Sequence, residues 1–301
     1  MRVIFFGSSE FAVPTLRAVA RDHDVLAVYT QPDKPAGRGM KLTPTPVKTA
    51  ATGAHLAVFT PPLLDADFRD AVAALKPEAL VTISYGKILP GALLAIPALG
   101  ALNVHPSMLP AYRGATPIQS ALRDGCTTTG VSIIWMNEKM DAGDVAIAEA
   151  VAISHDDNYG SLHDRLAQIG AELTVRALIE LAGGTLGRHP QDDAQATYTR
   201  PIRKEDLRVP LDDARSAANV VRSLSPKPGA WIELDGKRIK VLRARAEDDG
   251  KAAEARTPGA IVSLDGDGPL VACGAGGLRL LQVVPEGRPS MTGSEFARSL
   301  R

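Results

Sequence analysis

The chain opens with Val3-Ile4-Phe5-Phe6, an unbroken apolar run of the kind that forms a strand buried on both faces. A Gly7-Ser8-Ser9 turn follows, then helical spacing from Phe11 to Ala20, then a second apolar run from Asp24 to Thr30. Strand, turn, helix, strand is how a doubly wound parallel sheet begins. Helical spacing over Asp65 to Leu75 leads into a strand at Ala79 to Ser84, and a short helix over Leu93 to Leu99 closes at Gly100. A strand through Leu102-Asn103-Val104-His105 comes next. Thr116 to Arg123 reads as a helix, with Thr116 as candidate cap and Pro117 at its first position. Gly130 to Met136 and Val145 to Ile153 read as strands, and Tyr159 to Ala182 keeps a helical period until Gly183-Gly184. From about Thr185 to Glu205 the pattern lapses into polar, proline-punctuated sequence. Beyond it the texture changes: one amphipathic helix at Asp212 to Ser223, then short strands at Ala230–Leu234, Arg238–Ala244, Gly259–Ser263, Leu270–Ala272 and Leu278–Val283. Asp235-Gly236, Asp265-Gly266 and Gly276-Gly277 mark turns between them. The pattern predicts an α/β fold: a doubly wound, mostly parallel sheet over residues 1–184, a linker over 185–204, and a small OB-like β-barrel domain over 205–301.

Composition adds limits. The chain has 301 residues, enough for two domains of ordinary size, with 45% hydrophobic and 23% charged residues. No apolar run reaches the roughly 18–20 residues that cross a bilayer, and the first residues read as a strand rather than a signal peptide. Two cysteines, Cys126 and Cys273, lie far apart and suggest neither a disulfide framework nor metal-ligand spacing, which suits a reducing cytosol. Net charge is zero, yet residues 200–245 hold twelve Lys/Arg against six Asp/Glu. A basic segment on a neutral chain points to an anionic partner. The stretch 31–48 is a second oddity, with four prolines, two glycines and five charges, four of them positive. Connections in α/β units usually take about 2–6 residues, so a loop of this length suits a mobile, extended basic arm.

The candidate chemistry sits where a strand stops. Pro106 and Pro110 cannot continue a central ladder, so Asn103 and His105 lie at the carboxyl end of their strand, on one face. Open α/β sheets bind ligands at that end. An amide can donate to an oxyanion and an imidazole can move a proton. Asp141, in the turn Met140-Asp141-Ala142-Gly143-Asp144, is a carboxylate able to orient that imidazole.

These residues also carry a likeness. Asn103-Val104-His105-Pro106-Ser107 with Met108-Leu109-Pro110 and Tyr112-Arg113-Gly114, followed by Met140 to Asp144, resembles the formyltransferases that use 10-formyltetrahydrofolate. Gln31 to Gly39, Pro44 to Lys48, Tyr85 to Pro90, Ala115 to Gln119 and Pro226 to Trp231 resemble the methionyl-tRNA formyltransferase family more closely, and the likeness runs in order along essentially the whole chain. Two departures stand out: Pro106 where glycine is common, and Met108 in place of a usual leucine. The resemblance implies the formyltransferase fold and transfer of a formyl group to the α-amine of initiator methionyl-tRNA, without a metal. It implies Asn103, His105 and Asp141 as the catalytic trio. It implies a folate pocket from Ser84, Tyr85, Gly86, Ile88, Leu89 and Pro90 with Ser107, Met108, Leu109, Pro110 and Asp141. The loop residues Lys34, Arg38, Lys41 and Lys48 are implied to meet the tRNA acceptor arm. Arg203, Lys204, Lys227, Lys237, Arg238 and Lys240 are the further tRNA contacts expected from the basic second half. The expected protein is cytoplasmic, monomeric and free of any membrane partner. The trio would equally serve a formyltransferase acting on a small amine, such as glycinamide ribonucleotide or an amino-sugar nucleotide, or a hydrolase. The basic loop and basic second half separate those from a tRNA enzyme. A non-catalytic RNA-binding protein on this scaffold would be expected to lack one of the trio. The first turn lacks G-x-G-x-x-G, which disfavours a dinucleotide enzyme.

Overall fold

A computed structural model of the chain describes residues 1–36, 39–248 and 257–301. Strand β1 (Arg2–Gly7) enters a 3₁₀ turn at Glu10–Ala12 and then α1 (Val13–Asp22), followed by β2 (Asp24–Tyr29). After β2, β3 (Lys34–Ala36) and β4 (Lys41–Thr43) pair antiparallel, and α2 (Pro46–Gly53) starts directly behind them; the centre of the expected extended arm, residues 37–38, lies outside the described residues. Helix α2 has a local cause, because the Thr45 side chain accepts the Lys48 N–H at 3.0 Å and Pro46 presets the first helical φ. Next come β5 (Val58–Phe59), α3 (Ala66–Ala74), β6 (Ala79–Ile83), α4 (Gly91–Leu94), β7 (Gly100–His105) and β8 (Arg113–Gly114). Helix α4 is earlier and shorter than the expected 93–99. Pro97 biases Ile96 away from helix, and the N–H groups of Ala98 and Leu99 donate instead to the carbonyls of Pro77 and Glu78. Then follow α5 (Pro117–Arg123), β9 (Thr128–Trp135), β10 (Val145–Ala152), α6 (Tyr159–Ala182), β11 (Tyr198–Thr199) and α7 (Ala214–Leu224). Thr116 does not cap α5 with its side chain; its hydroxyl donates to the Arg200 carbonyl at 2.9 Å. The chain finishes with β12 (Ala230–Leu234), β13 (Lys237–Glu247), β14 (Ile261–Ser263), β15 (Leu270–Ala272), β16 (Gly277–Pro285), β17 (Met291–Thr292) and a closing helix, Gly293–Ser299.

The chain divides into two compact units. The first comprises Met1–Gly114, Thr129–Val151 and His163–Tyr198. Its sheet has the order β10-β9-β7-β6-β1-β2-β5, with β1 parallel to β2 and β6, β6 parallel to β7, β2 parallel to β5, and β9 antiparallel to β7. The expected doubly wound, mostly parallel sheet is therefore observed. On one face Ile4, Phe6, Ala27, Tyr29, Leu80 and Ala101 pack with Val72, Tyr85, Leu89 and Leu93. Phe6 stacks on Tyr29 at 5.0 Å and meets Tyr85 edge-on at 5.2 Å. With a period of two along β7, Asn103 and His105 continue the face that Ala101 buries, beyond the end of that core.

The second unit comprises Ala115–Thr128, Ala152–Leu162 and Thr199–Arg301. All five strands expected in the small domain form, and they build an antiparallel sheet in the order β12-β13-β16-β15-β14, with β17 added on β16. Helix α7 lays Val220, Val221 and Leu224 into a core with Ile232, Val241, Leu278 and Leu280. Its cap is Asp213, which accepts the Ser216 N–H at 2.8 Å. The closing helix was not anticipated, although Thr292-Gly293-Ser294-Glu295 is a capping-box signature and both reciprocal bonds are made.

Candidate active site

Strand β7 presents the first two residues. Asn103 is paired with Thr82 of β6 and Ile134 of β9, and His105 with Ser132. His105 is 4% exposed, and its Nε2 lies 2.9 Å from the Tyr112 carbonyl oxygen. A carbonyl only accepts, so Nε2 carries the proton and the lone pair of the neutral ring is on Nδ1. That Nδ1 faces Asp141 Oδ2 at 3.6 Å. Burial holds the His105 pKa below the ordinary imidazole value, outweighing the opposite pulls of Asp141 and the Tyr112 carbonyl. The neutral ring thus turns a basic nitrogen toward a carboxylate, with room for one proton between two acceptors. Asn103 is half-buried, and no hydrogen bond engages its side chain among the described residues.

Asp141 is held from two sides. Its Oδ2 accepts the Gly114 N–H at 2.8 Å, from a glycine at φ 110°. Asp141 itself adopts φ 52°, and its carbonyl and that of Gly143 both accept from the Gln191 amide, at 2.9 and 2.7 Å. A side chain at Gly143 would collide with the Trp135 carbonyl oxygen, so the turn needs glycine there. The three sequence-selected residues are thereby gathered: His105 and Asp141 face each other, and Asn103 lies two residues back on the His105 face.

The segment after β6 is mixed. Ser84 (φ 47°) and Gly86 (φ 84°) make the chain turn, and Ser84, Gly86, Ile88 and Pro90 are exposed, Ile88 to 76%. Tyr85 and Leu89 are core residues, so what they offer a ligand is backbone rather than side chain. Burial pushes the Tyr85 hydroxyl up to about 12. Ser107 is likewise buried and internally bonded: its Oγ donates to the Ala111 carbonyl at 2.6 Å and its carbonyl accepts from Ser132 Oγ at 2.8 Å. It shapes the turn behind His105. Met108, Leu109 and Pro110 are half-buried, and Leu109 and Pro110 help line a cavity of about 550 Å³ with Val145, Ala146 and Gln191. Among the described residues no group of three or more His, Cys, Asp or Glu is arranged to hold a metal ion, and no helix is long and apolar enough to cross a membrane.

Two family models match the chain: formyl transferase over residues 1–178, and formyl transferase, C-terminal domain, over 201–301. The chain belongs to the formyl transferase family. Among curated members, it is 42% identical to methionyl-tRNA formyltransferase of Carboxydothermus hydrogenoformans, with 100% of this chain and 97% of that protein covered. It is 44% identical to the same enzyme of Pseudomonas paraeruginosa, with 96% and 93% covered. Among solved structures, an N-formyltransferase from Helicobacter canadensis, in complex with folinic acid and dTDP-3-aminofucose, superposes with a TM-score of 0.69 at 14% identity, covering 92% of this chain and 98% of that one. HypX from Aquifex aeolicus with tetrahydrofolic acid gives 0.65 at 18%, covering 98% of this chain and 46% of that one. At those identities the structures share the fold.

The basic residues of this family member divide by their engagements. Lys34 and Lys41 are exposed on the β3–β4 hairpin. Lys48 is tied to Asp33, its Nζ 2.8 and 2.9 Å from the two carboxylate oxygens, so its charge is used internally. Arg38 lies outside the described residues. Arg203, Lys204, Lys227, Lys237 and Arg238 are exposed, Lys240 donates to the Pro228 carbonyl at 3.1 Å, and Arg238 lies over the Trp231 ring at 4.1 Å. These six are spread over the 200–206 turn and the β12–β13 region rather than gathered at one point. Two further residues belong to the site without having been expected there. Arg113 lies in the Tyr112-Arg113-Gly114 motif but had no role, and Gln191 falls in the stretch read as linker. For Arg113 the signal available in the sequence was its place inside a motif that carries the likeness; for Gln191 there was none.

Proposed function

We propose that this chain transfers the formyl group of 10-formyltetrahydrofolate to the α-amine of methionyl-initiator tRNA. What carries the reading is the His105–Asp141 pair beside an uncommitted Asn103 amide, in a chain that methionyl-tRNA formyltransferases match end to end. The exposed Ser84, Gly86, Ile88 and Pro90 supply the polar backbone and apolar surface a folate ring and its linker need.

The reaction moves a formyl group from one nitrogen to another through a tetrahedral oxyanion. Asn103 donates its amide N–H to that oxyanion. His105 Nδ1 takes the proton that the attacking amine gives up, and Asp141 stabilises the imidazolium so formed. The ring then returns the proton to the departing folate nitrogen, so the catalytic groups end as they began. The lowered pKa of His105 keeps the ring unprotonated and ready at neutral pH. Residues 1–184 carry this chemistry with Gln191 from the 185–204 stretch, and 205–301 bind tRNA together with Lys34, Arg38 and Lys41. The chain acts as a monomer in the cytoplasm, where initiator tRNA is charged.

The test is an assay of the purified chain with 10-formyltetrahydrofolate and methionine-charged initiator tRNA, with elongator methionyl-tRNA and an amino-sugar nucleotide as alternative acceptors. Folate-dependent formylation of the initiator tRNA above both alternatives is expected. Formylation of the amino sugar without reaction at the tRNA would replace this reading.

A further inference from the structure

The segment Tyr112-Arg113-Gly114 touches both members of the proton-transferring pair: the Tyr112 carbonyl accepts from His105, and the Gly114 N–H donates to Asp141. The side chain between them goes elsewhere. Arg113 is 1% exposed, and its Nε and Nη2 fork onto Gln191 Oε1 at 3.0 and 2.8 Å. Nη2 also reaches Asp193 at 2.8 Å, and Nη1 reaches the Tyr198 hydroxyl at 3.2 Å. The main chain reinforces this, because Arg113 N donates to the Thr197 carbonyl at 2.8 Å and Tyr112 N to Thr197 Oγ1 at 2.8 Å. A strap from Gln191 to Tyr198 is therefore clamped to residues 112–113.

Gln191 passes the constraint on. A guanidinium only donates, so it orients the Gln191 amide oxygen toward itself. The amide nitrogen is then directed at the carbonyls of Asp141 and Gly143, and one donor draws both together. A ring of bonds closes: Asp141 carboxylate, Gly114 backbone, Arg113 side chain, Gln191 amide, Asp141 carbonyl. The turn carrying the carboxylate is gripped at both its side chain and its backbone by one dipeptide and one glutamine.

We infer that Arg113 and Gln191 are positioning residues that set the Asp141 carboxylate against His105 Nδ1 for formyl transfer. This rests on the function proposed above. Neither residue needs to touch substrate. A displacement of about 1 Å in a reacting group typically costs about 10²-fold in rate, so a turn left to find its own place would forfeit much of the rate.

The informative variants are Gln191→Glu and Gln191→Met. Gln191→Glu keeps an acceptor for Arg113 but turns a carboxylate oxygen toward two carbonyls. Gln191→Met keeps the length and removes both functions. Three quantities are measured: kcat and both KM values for formyl transfer, the thermal midpoint, and the titration of His105 by ¹⁵N-imidazole NMR. Both variants are expected to lose about 30- to 100-fold in kcat, with both KM values within about threefold, and to titrate His105 at lower pH than the wild type as the carboxylate moves away. If Gln191→Glu kept kcat within about threefold of wild type, satisfying Arg113 would be all that matters and the inference would fall. A loss of kcat with an unaltered His105 titration would also overturn it. A wild-type chain without transferase activity would count against the proposed function alone, and the His105 titration would then decide the positioning by itself.

Discussion

Arg113 and Arg238 carry the same guanidinium into opposite surroundings. Arg113 is buried, its fork shared between an amide oxygen, a carboxylate and a phenol. Arg238 is exposed and lies over the Trp231 ring, on a strand that also carries the exposed Lys237. In the first setting the guanidinium donates to Gln191, Asp193 and Tyr198, and the charge determines where atoms stand. In the second the charge stays hydrated and contributes a field. In the proposed function the first setting suits a group that must be held in place, and the second suits contact with a large polyanion through adaptable side chains.

The comparison is broken most forcefully at the site itself. Asn103→Ala and Asp141→Ala should each lower single-turnover formyl transfer by about 10²–10³-fold with tRNA affinity little changed, as rapid-quench kinetics and filter binding would show. Next in size, Arg113→Ala should lower stability by roughly 2–4 kcal/mol, since it empties the space of a fully buried side chain and leaves the half-buried Gln191 amide oxygen without its donor. Arg238→Ala should cost well under about 1 kcal/mol, and urea unfolding of both separates the cases. Equal losses would mean that burial does not distinguish the two arginines.

His105 gives a pH prediction. Its folded-state pKa lies below the unfolded value, so the unfolded chain binds the extra proton first. Stability from this group is complete above about pH 6.5 and is lost as pH falls toward the lowered folded value. The rate constant for transfer should fall over the same acid side, because a protonated ring cannot take the amine proton. An acid limb in kcat that persists unchanged in His105→Asn would assign it to another group. Smaller again, replacing Lys237, Arg238 and Lys240 together by alanine should weaken tRNA binding. The salt slope should fall by about one for each phosphate no longer neutralised, with kcat at saturating tRNA retained.

Much of this was legible in the chain. The apolar run Val3 to Phe6, the long period from Tyr159 to Ala182 and the five short strands of the second unit follow local patterns that tertiary packing did not override. The placement of Asn103 and His105 followed from two prolines and a period of two. What could not be read was mostly long-range. Gln191 lies 50 positions from Asp141 in a polar stretch with no period, so nothing nearby marks it as a partner. Tyr85 and Leu89 sit among residues expected to line a folate pocket, yet both turn into the core. Lys48 reads as a free charge in the sequence, but Asp33, 15 residues away, lies against it. The helix at Pro46 and the closing helix had readable caps in Thr45-Pro46 and Thr292 to Glu295, local signals that the proline-rich and polar composition around them obscures.

The central claim is that His105 Nδ1, backed by Asp141, receives the amine proton while Asn103 holds the oxyanion. It is tested most directly by the pH dependence of single-turnover formyl transfer to charged initiator tRNA, comparing wild type with Asp141→Asn. The wild type should show an acid limb at the lowered His105 pKa, and Asp141→Asn should move that limb to still lower pH while reducing the plateau. An Asp141→Asn enzyme with an unchanged limb and an unchanged plateau would contradict the account.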